Sequence, residues 1–348
     1  MNPNESNPSS ATIGGAILCA GFGSRMAPLT DALPKPLLPF LNVPTIAYPM
    51  AQMMRAGIGS IAFNTHHLAD AIPPVAQRLA KTFAIKPFFV HEEELLGSGG
   101  GIKGVVDALG DACDHVVIMN GDTVLEIDLG PHIEAHIDSG SDVSLVLRPK
   151  VDTQPGRVFL DGSGNITRIR DYKAPSYQLT HEEYDFLGIH IIKKGVLDAI
   201  ALKKCDIIDS LYGPMVIEKR KLRASLHEGY FVALDTPDLM LAESVRAMNE
   251  PGLFGDAPFP DPLRPGLYVY RPGTIANAAT VTPPVFIGAN VSVGPGAHLG
   301  PNVVLDGVDV IGGTRIENAI LYGAGKIEGE WKNCISIAGK TVVVRPQT

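Results

Sequence analysis

At 348 residues the chain is long for one compact unit, so a main domain with an appended one is expected. A composition of 45% hydrophobic and 19% charged residues is that of an ordinary globular protein and excludes wholesale disorder. A formal charge of −8 with no lysine or arginine run excludes broad capture of nucleic acid, and no apolar segment reaches membrane-spanning length.

Residues 1–12 are polar and lack a basic start before an apolar core, so they read as a flexible leader and not as a signal peptide. Cys19, Cys113, Cys205 and Cys334 lie far apart with no C-x-x-C pair. That spacing suits reduced thiols in a cytoplasmic protein better than a disulfide framework or a zinc site.

From Ala16 to about Pro149, strand-like runs alternate with helical patterns. The strands are AILCA, SIAFN, PFFVHE, HVVIMN and DVSLVLR; the helices are TIAYPMAQMMRAG, LADAIPPVAQRLAKTF and GGIKGVVDALG. Such alternation predicts an α/β fold, a Rossmann-like, mostly parallel sheet covered on both faces. Ligands of such sheets sit at the carboxyl ends of the strands, where Gly21, Asn64, Glu92 and Asp122 fall. From Gly156 to about Met248, GRVFLD, NITRIRDY and FLGIHII read as antiparallel strands, and PDLMLAESVRAM as a closing helix started by Pro237. These complete a main domain over residues 13–249 whose second half, on the same sheet, reads as the ligand side.

Residues 250–284, rich in proline and glycine, read as a linker. Beyond them Ile287, Val293, Leu299, Leu305 and Ile311 recur every six residues, four of them followed by Gly288, Gly294, Gly300 and Gly312. This hexad predicts a β-helix over residues 285–348, aliphatic residues inward and small residues at the corners. A stack of this kind is expected to pack against another subunit or domain, which points to a homo-oligomer.

In AILCAGFGSRMAPLTDALPKPLLPF the first strand runs into a glycine turn. A dinucleotide fingerprint needs a third glycine where Met26 stands, and a P-loop needs a glycine-lysine pair that is absent. There remains a turn whose bare backbone lets amides approach an anion, with Arg25 as a forked donor for phosphate oxygens. Lys35 stands between Pro34 and Pro36, which limit its backbone freedom. The pair suits a polyphosphate. In HVVIMNGDTVLE a buried strand delivers Asn120, Gly121 and Asp122 to its carboxyl end, where a carboxylate beside triphosphate is a natural Mg2+ ligand.

The string G-x-G-S-R-M-x-P-L-T followed by P-K-P-L closely resembles the signature of the nucleotide-sugar pyrophosphorylases, the sugar-1-phosphate nucleotidyltransferases. The likeness covers residues 14 to about 248, and several members continue into a left-handed β-helix. It implies a GT-A-like catalytic fold in which Ala20, Gly21, Gly23, Ser24 and Arg25 hold a nucleoside triphosphate and Lys35 touches the phosphates. It also implies that Asn120 and Gly121 line the nucleotide and that Asp122 holds Mg2+.

HEEELLGSGGGIKG resembles the family's base-recognition loop, which brings Glu92 and Gly97 to the nucleotide. A carboxylate there only accepts hydrogen bonds and can take two from guanine, so the resemblance favours GTP with a mannose-1-phosphate-like sugar. Uridylyl and thymidylyl transfer within the family remain open. Gly156 and Gly188 match positions near the sugar, while the family's E-K-P becomes DYKAP, so Asp171 stands for its glutamate and the displaced Lys173 for its lysine. The family's second metal string, D-x-G-T-P, becomes VALDTPD: its Asp falls on Ala233 and its Gly on Asp235, so Asp235 is the candidate second ligand. The implied reaction is in-line attack of a sugar-1-phosphate oxygen on the α-phosphorus, with no protein nucleophile. A regulatory subunit that binds nucleotide sugar without turnover is the rival reading. Acyl transfer on the β-helix with His298 as base is a third. His66 and His67 read as packing or surface residues, since neighbours on an extended chain point to opposite sides.

Overall fold

The structure is a computed structural model. It describes residues 11–150, 158–179, 182–254, 262–270 and 273–345. Most of the expected leader, and Gly156 among the sugar candidates, lie outside the described residues.

In chain order the first elements are β1 (Ile13–Leu18), β2 (Pro39–Phe40), β3 (Val43–Pro44), α1 (Ala47–Arg55), β4 (Ser60–Thr65), α2 (Ile72–Phe83), β5 (Lys86–His91) and α3 (Gly97–Ala108). There follow β6 (His115–Asn120), β7 (Thr123–Leu125), α4 (Leu129–Asp138), β8 (Val143–Pro149), β9 (Val158–Leu160), β10 (Ile166–Ile169), β11 (Tyr172–Lys173) and β12 (Glu182–Lys193). Then come α5 (Gly213–Ile217), β13 (Leu222–Leu226), β14 (Phe231–Ala233) and α6 (Pro237–Asn249), after which the described chain is mainly strands, from two residues long to the thirteen of Arg315–Ile327. It divides into two compact units: Met1–Gly21, Pro49–Gly121 and Ile127–Gly229 form one, Phe22–Tyr48, Asp122–Glu126 and Tyr230–Thr348 the other.

The first unit carries the predicted α/β sheet. β6, β1, β4 and β5 run parallel in that order, and β12 joins β6 antiparallel. Both faces of the parallel strands are covered, so they read as continuous apolar runs: Ala16, Val116, Ile118 and Ile102 are buried in one core with Leu145, Leu147 and Tyr212. The strand expected over 165–172 is instead a hairpin. Arg170 adopts φ 50°, and Ile169 comes to face Tyr172, so Asp171 lies in the turn and Lys173 on the edge strand β11. The short polar side chain of Asp171 suits a turn, a signal that the apolar alternation of NITRI had outweighed.

In the second unit, parallel strands stack as a β-helix. Leu267 faces Val285, Val285 faces Val303, Val303 faces Ala319 and Ala319 faces Cys334. Partners are eighteen residues apart in the first two coils, which is three hexads, then sixteen and fifteen. Ile287, Val293, Leu299 and Leu305 point inward as expected. The fifth hexad position does not: Val293 pairs with Val310, one residue short of a full coil, so Val310 is buried and Ile311 is 36% exposed. A corner shortened by one residue reverses which side chain faces the core.

The stretch 250–284, expected as a linker, already contributes a coil. Leu267–Val269, Thr274–Ile275 and Thr280–Val281 run parallel to the strands that follow them. The six-residue spacing continues backward through Val281, Ile275 and Val269, all packed against the β-helix core. Pro272 and Gly273 between Val269 and Ile275, with Pro265, Pro283 and Pro284 flanking the run, hide the period.

Residues alternating with the inward set form a second apolar layer on one β-helix face. Tyr268, Phe286, Val304, Ile320 and Ile335 pack with Met26, Leu29, Leu38 and Phe40 of the glycine-turn segment and with Met240 and Leu241 of α6. Each such side chain, fully buried, contributes about 1.5–3 kcal/mol. Asn42 Nδ2 adds a hydrogen bond of 3.0 Å to the Leu305 carbonyl, and Tyr268 Oη one of 3.0 Å to that of Met248. The expected packing partner of the stack thus includes a segment of its own chain, the one that carries Arg25 and Lys35.

Candidate active site

Gly23 sits at φ 63°, ψ 35° and starts a tight turn over Ser24–Met26. A side chain there would be strained twice, since its Cβ would stand 2.9 Å from Thr30 Cγ2 and 3.0 Å from the Lys35 Cβ. Gly21 is different. It is exposed, and apart from its chain neighbours no described atom lies within 4 Å of where a Cβ would be. The bareness of Gly21 is therefore not required by packing.

Lys35 opens its own short turn, with Pro34 extended before it and Pro36 after it. Its carbonyl accepts from Leu38 N at 3.1 Å and from Thr45 Oγ1 at 3.3 Å. With φ restricted on both sides and the carbonyl tied down, the backbone is fixed and the aliphatic stem is buried. Its Nζ donates to Asp122 Oδ2 and, at 2.7 Å, to Asp235 Oδ1. Arg25 Nη2 reaches the same Asp235 oxygen at 2.9 Å from a side chain that is 68% exposed.

The two carboxylates meet because a small antiparallel ladder ends beside them. Phe231 faces Leu125, Val232 faces Val124 and Ala233 faces Thr123, and Leu234 N donates to the Asp122 carbonyl at 3.1 Å. Thr236 then caps α6, its hydroxyl accepting from Leu239 N at 3.3 Å, with Pro237 at the first helical position. Asp235 is held between strand and cap. The Lys35 ammonium marks the point where both carboxylates reach one cation, and that donor set, hard anionic oxygens, is of the kind Mg2+ takes. Among the described residues no group of three or more His, Cys, Asp or Glu could hold a metal. Remaining ligands would have to come from substrate or water.

In the first unit the strand ends form a second polar assembly. Asn64 Oδ1 accepts from Cys19 N at 2.7 Å, and its Nδ2 donates to Glu92 Oε1 at 2.6 Å. Glu92 Oε2 accepts from Leu96 N at 2.9 Å, and the residue is 3% exposed. Glu92, expected from the sequence at the base edge, has both oxygens engaged within the protein, while Glu93 and Glu94 are exposed. Asn64 was singled out only as a strand-end residue; its role as the link between β1, β4 and Glu92 has no local sequence signal.

Ala20 is buried, and Gly121 N donates to the Leu18 carbonyl at 3.0 Å, tying the ends of β1 and β6. Gly97 begins α3 at φ 70°, against the Cys205 carbonyl. Gly188 (φ 71°) lies where β12 shifts register, so close to Asn120 that a Cβ would stand 2.6 Å from its Nδ2. One sugar candidate and one nucleotide candidate are thus neighbours. Asp171 and Lys173 are exposed at the far edge of the sheet, β10 and β9 lying between β11 and β12, and Lys173 Nζ sits 5.5 Å from the Tyr177 ring centre. Ser24 is exposed beside Arg25.

Residues 14–207 match the family model described as nucleotidyl transferase. The chain is 27% identical over 229 residues to a mannose-1-phosphate guanyltransferase of Pichia angusta, covering 64% of this chain and 61% of that one. It is 25% identical to a mannose-1-phosphate guanylyltransferase of Mycobacterium tuberculosis, covering 86% and 80%, and 23% identical to a UTP–glucose-1-phosphate uridylyltransferase of Synechocystis sp., covering 88% and 82%. The match spans less than two thirds of the length of the Pichia protein. A Bacillus anthracis structure assigned as a glucose-1-phosphate thymidylyltransferase shares the fold with a TM-score of 0.56 at 20% identity, over 67% of this chain and 93% of that one. With the matched segment taking in the glycine turn, Arg25, Lys35 and Asp122, the chain belongs to the nucleotidyl transferase family.

Proposed function

We propose that the protein condenses a nucleoside triphosphate with a sugar-1-phosphate, giving a nucleotide sugar and pyrophosphate. The observation that carries this reading is the pair of carboxylates, Asp122 and Asp235, converging on one cation beside Arg25. Arg25 and Lys35 bind phosphate oxygens, with the backbone of Ala20, Gly21, Gly23 and Ser24 alongside. Asp122 and Asp235 hold Mg2+, which supplies charge neutralisation on the phosphates. Asn120, Gly121 and Gly97 belong to the nucleotide, and Gly188 to the sugar phosphate, with Gly156, Asp171 and Lys173 as further sugar candidates.

A sugar-phosphate oxygen is already an anionic nucleophile, so no general base is needed. The work of the side chains is to hold it in line with the leaving pyrophosphate and to stabilise the charge that develops. GTP and a mannose-1-phosphate-like sugar are the favoured substrates, supported by the names of relatives and by the exposed acceptors Glu93 and Glu94. Transfer from UTP or TTP is the alternative. Ala233 at the family's metal position favours a second reading, binding of nucleotide sugar without turnover; the contact of Asp235 with Lys35 weighs against it.

No helix among the described residues is long and apolar enough to cross a membrane. We assign the protein to the cytoplasm as a homo-oligomer. The decisive assay follows pyrophosphate release with Mg2+, each common triphosphate and a panel of sugar-1-phosphates. Release with one pairing is expected; silence across the panel with tight nucleotide-sugar binding would establish the second reading.

A further inference from the structure

The Lys35 ammonium stands where a divalent cation would have to stand to reach Asp122 and Asp235 together. Its side chain is 11% exposed, against 25% for Asp122 and 32% for Asp235, so it is the most enclosed member of the cluster. Asp235 Oδ1 accepts from both Lys35 and Arg25, and the four groups, two cations and two anions, are mutually neutral. Because Pro34, Pro36 and the hydrogen bonds to the Lys35 carbonyl fix its backbone, the ammonium moves only by rotation of its own four-carbon stem.

A divalent cation arriving alone must therefore evict an ammonium whose hydrogen-bond partners among the described residues include no other anion. A polyphosphate changes this. It offers Lys35 and Arg25 new anionic oxygens and so frees both carboxylates at the moment it brings further ligands for the metal. We infer that Lys35 is the resident counter-ion of the metal site, and that metal and triphosphate load together by an exchange of ion pairs. This rests on the triphosphate reading above and adds to it an order: the carboxylates hold metal weakly until phosphate draws the lysine off. By linkage each ligand then raises the affinity for the other.

The test reads Mn2+ binding by electron paramagnetic resonance on the full chain without nucleotide. The unsubstituted protein is expected to hold Mn2+ no better than Asp122→Asn, because the carboxylates are occupied. Lys35→Gln should bind about tenfold more tightly or better, the factor by which a mostly occupied site lowers apparent affinity, and Lys35→Gln/Asp122→Asn should lose that gain. Adding inorganic tripolyphosphate should raise Mn2+ uptake by the unsubstituted protein, and less so by Lys35→Gln.

An unsubstituted protein that holds one Mn2+ per chain in an Asp122-dependent manner overturns the inference, and this comparison needs no lysine variant to fold. So does a folded Lys35→Gln protein with unchanged affinity. Because the metal is read without turnover, a protein silent in the pyrophosphate assay would fail the proposed reaction while these measurements still return their own result.

Discussion

Two polar assemblies lie at strand ends in this chain, and they differ in what satisfies their carboxylates. In the second unit, Asp122 and Asp235 are partly exposed and are met by the flexible cations Lys35 and Arg25. In the first, Glu92 is buried, and its oxygens accept from an amide side chain and a backbone N–H. Long cationic side chains can turn to a ligand, whereas a backbone amide cannot leave its place. A carboxylate at the carboxyl end of a strand is therefore a candidate for chemistry only when its partners are exchangeable. Glu92 is better understood as a brace that sets Asn64 and, through it, Cys19 N at the end of β1.

Substitution should separate the two assemblies by the quantity it changes. The largest effect is expected for Arg25→Ala and Asp122→Ala, each lowering turnover about a hundred- to a thousandfold, as loss of one preorganised electrostatic group commonly does. Arg25→Ala should leave the unfolding midpoint unchanged, since an exposed ion pair contributes little to stability, whereas Asp122→Ala should lower it modestly by taking one of two counter-ions from the enclosed Lys35 ammonium. Near-normal turnover in either variant would remove that residue from the chemistry. Glu92→Ala should do the reverse. It leaves Asn64 Nδ2 and Leu96 N without their acceptor, and denaturant unfolding should register a loss of about 2–4 kcal/mol. Unchanged stability would mean that Glu92 is not the brace described.

The two glycines of the signature turn sharpen the comparison at smaller scale. Gly23→Ala meets Thr30 and Lys35 and forces a left-handed backbone on a residue with a Cβ, costing about 1–2 kcal/mol before any relaxation. Gly21→Ala meets nothing in the described protein, so stability should hold within about 0.5 kcal/mol. Weakened triphosphate binding in Gly21→Ala, measured by calorimetry, would then report the ligand's own need for a bare backbone. Unweakened binding would take Gly21 out of the phosphate contacts.

Much of this is legible in the sequence. The alternation of apolar runs and helical patterns marks the elements of the parallel sheet, and Arg25 and Lys35 in one segment, with Asp122 far from them, are marked by residue type and setting. That these groups share one site is what the family resemblance implies; the short ladder that sets Ala233 opposite Thr123 and so brings Asp235 beside Asp122, and the lysine bridging the two carboxylates, have no local sequence signal. Nor has the inward turn of Glu92, since a run of three glutamates gives no sign of which one a strand end will bury. The β-helix shows the limits of counting in both directions. A one-residue contraction before Val310 exposes Ile311, while Pro272 within the run from Val269 to Val281, and the prolines that flank it, conceal a coil whose spacing is intact.

A pH-dependent effect tests whether the first unit's interior is locked in a neutral state. His190 is buried in the core of that unit, shares a 2.6 Å hydrogen bond between Nδ1 and Tyr212 Oη, and has its pKa pushed down to about 3 by burial. His136, bonded to Ser144 Oγ through Nδ1, is pushed down to about 4 by burial and by the neighbouring charge of His115. In the unfolded chain both titrate near about 6.5. Between that value and the folded one, the unfolded state binds more protons, so stability rises with pH across the window and falls as the solution is acidified. Each histidine should contribute a slope approaching 1.4 kcal/mol per pH unit well below about pH 6.5, shrinking to nothing above about pH 7. Denaturant unfolding at intervals from pH 7.5 to 5 should show that curvature, and His190→Asn should flatten it even if it lowers stability at every pH. A slope unaltered by that substitution would mean that His190 takes up a proton within the folded protein, and that its bond to Tyr212 is not the neutral pair described.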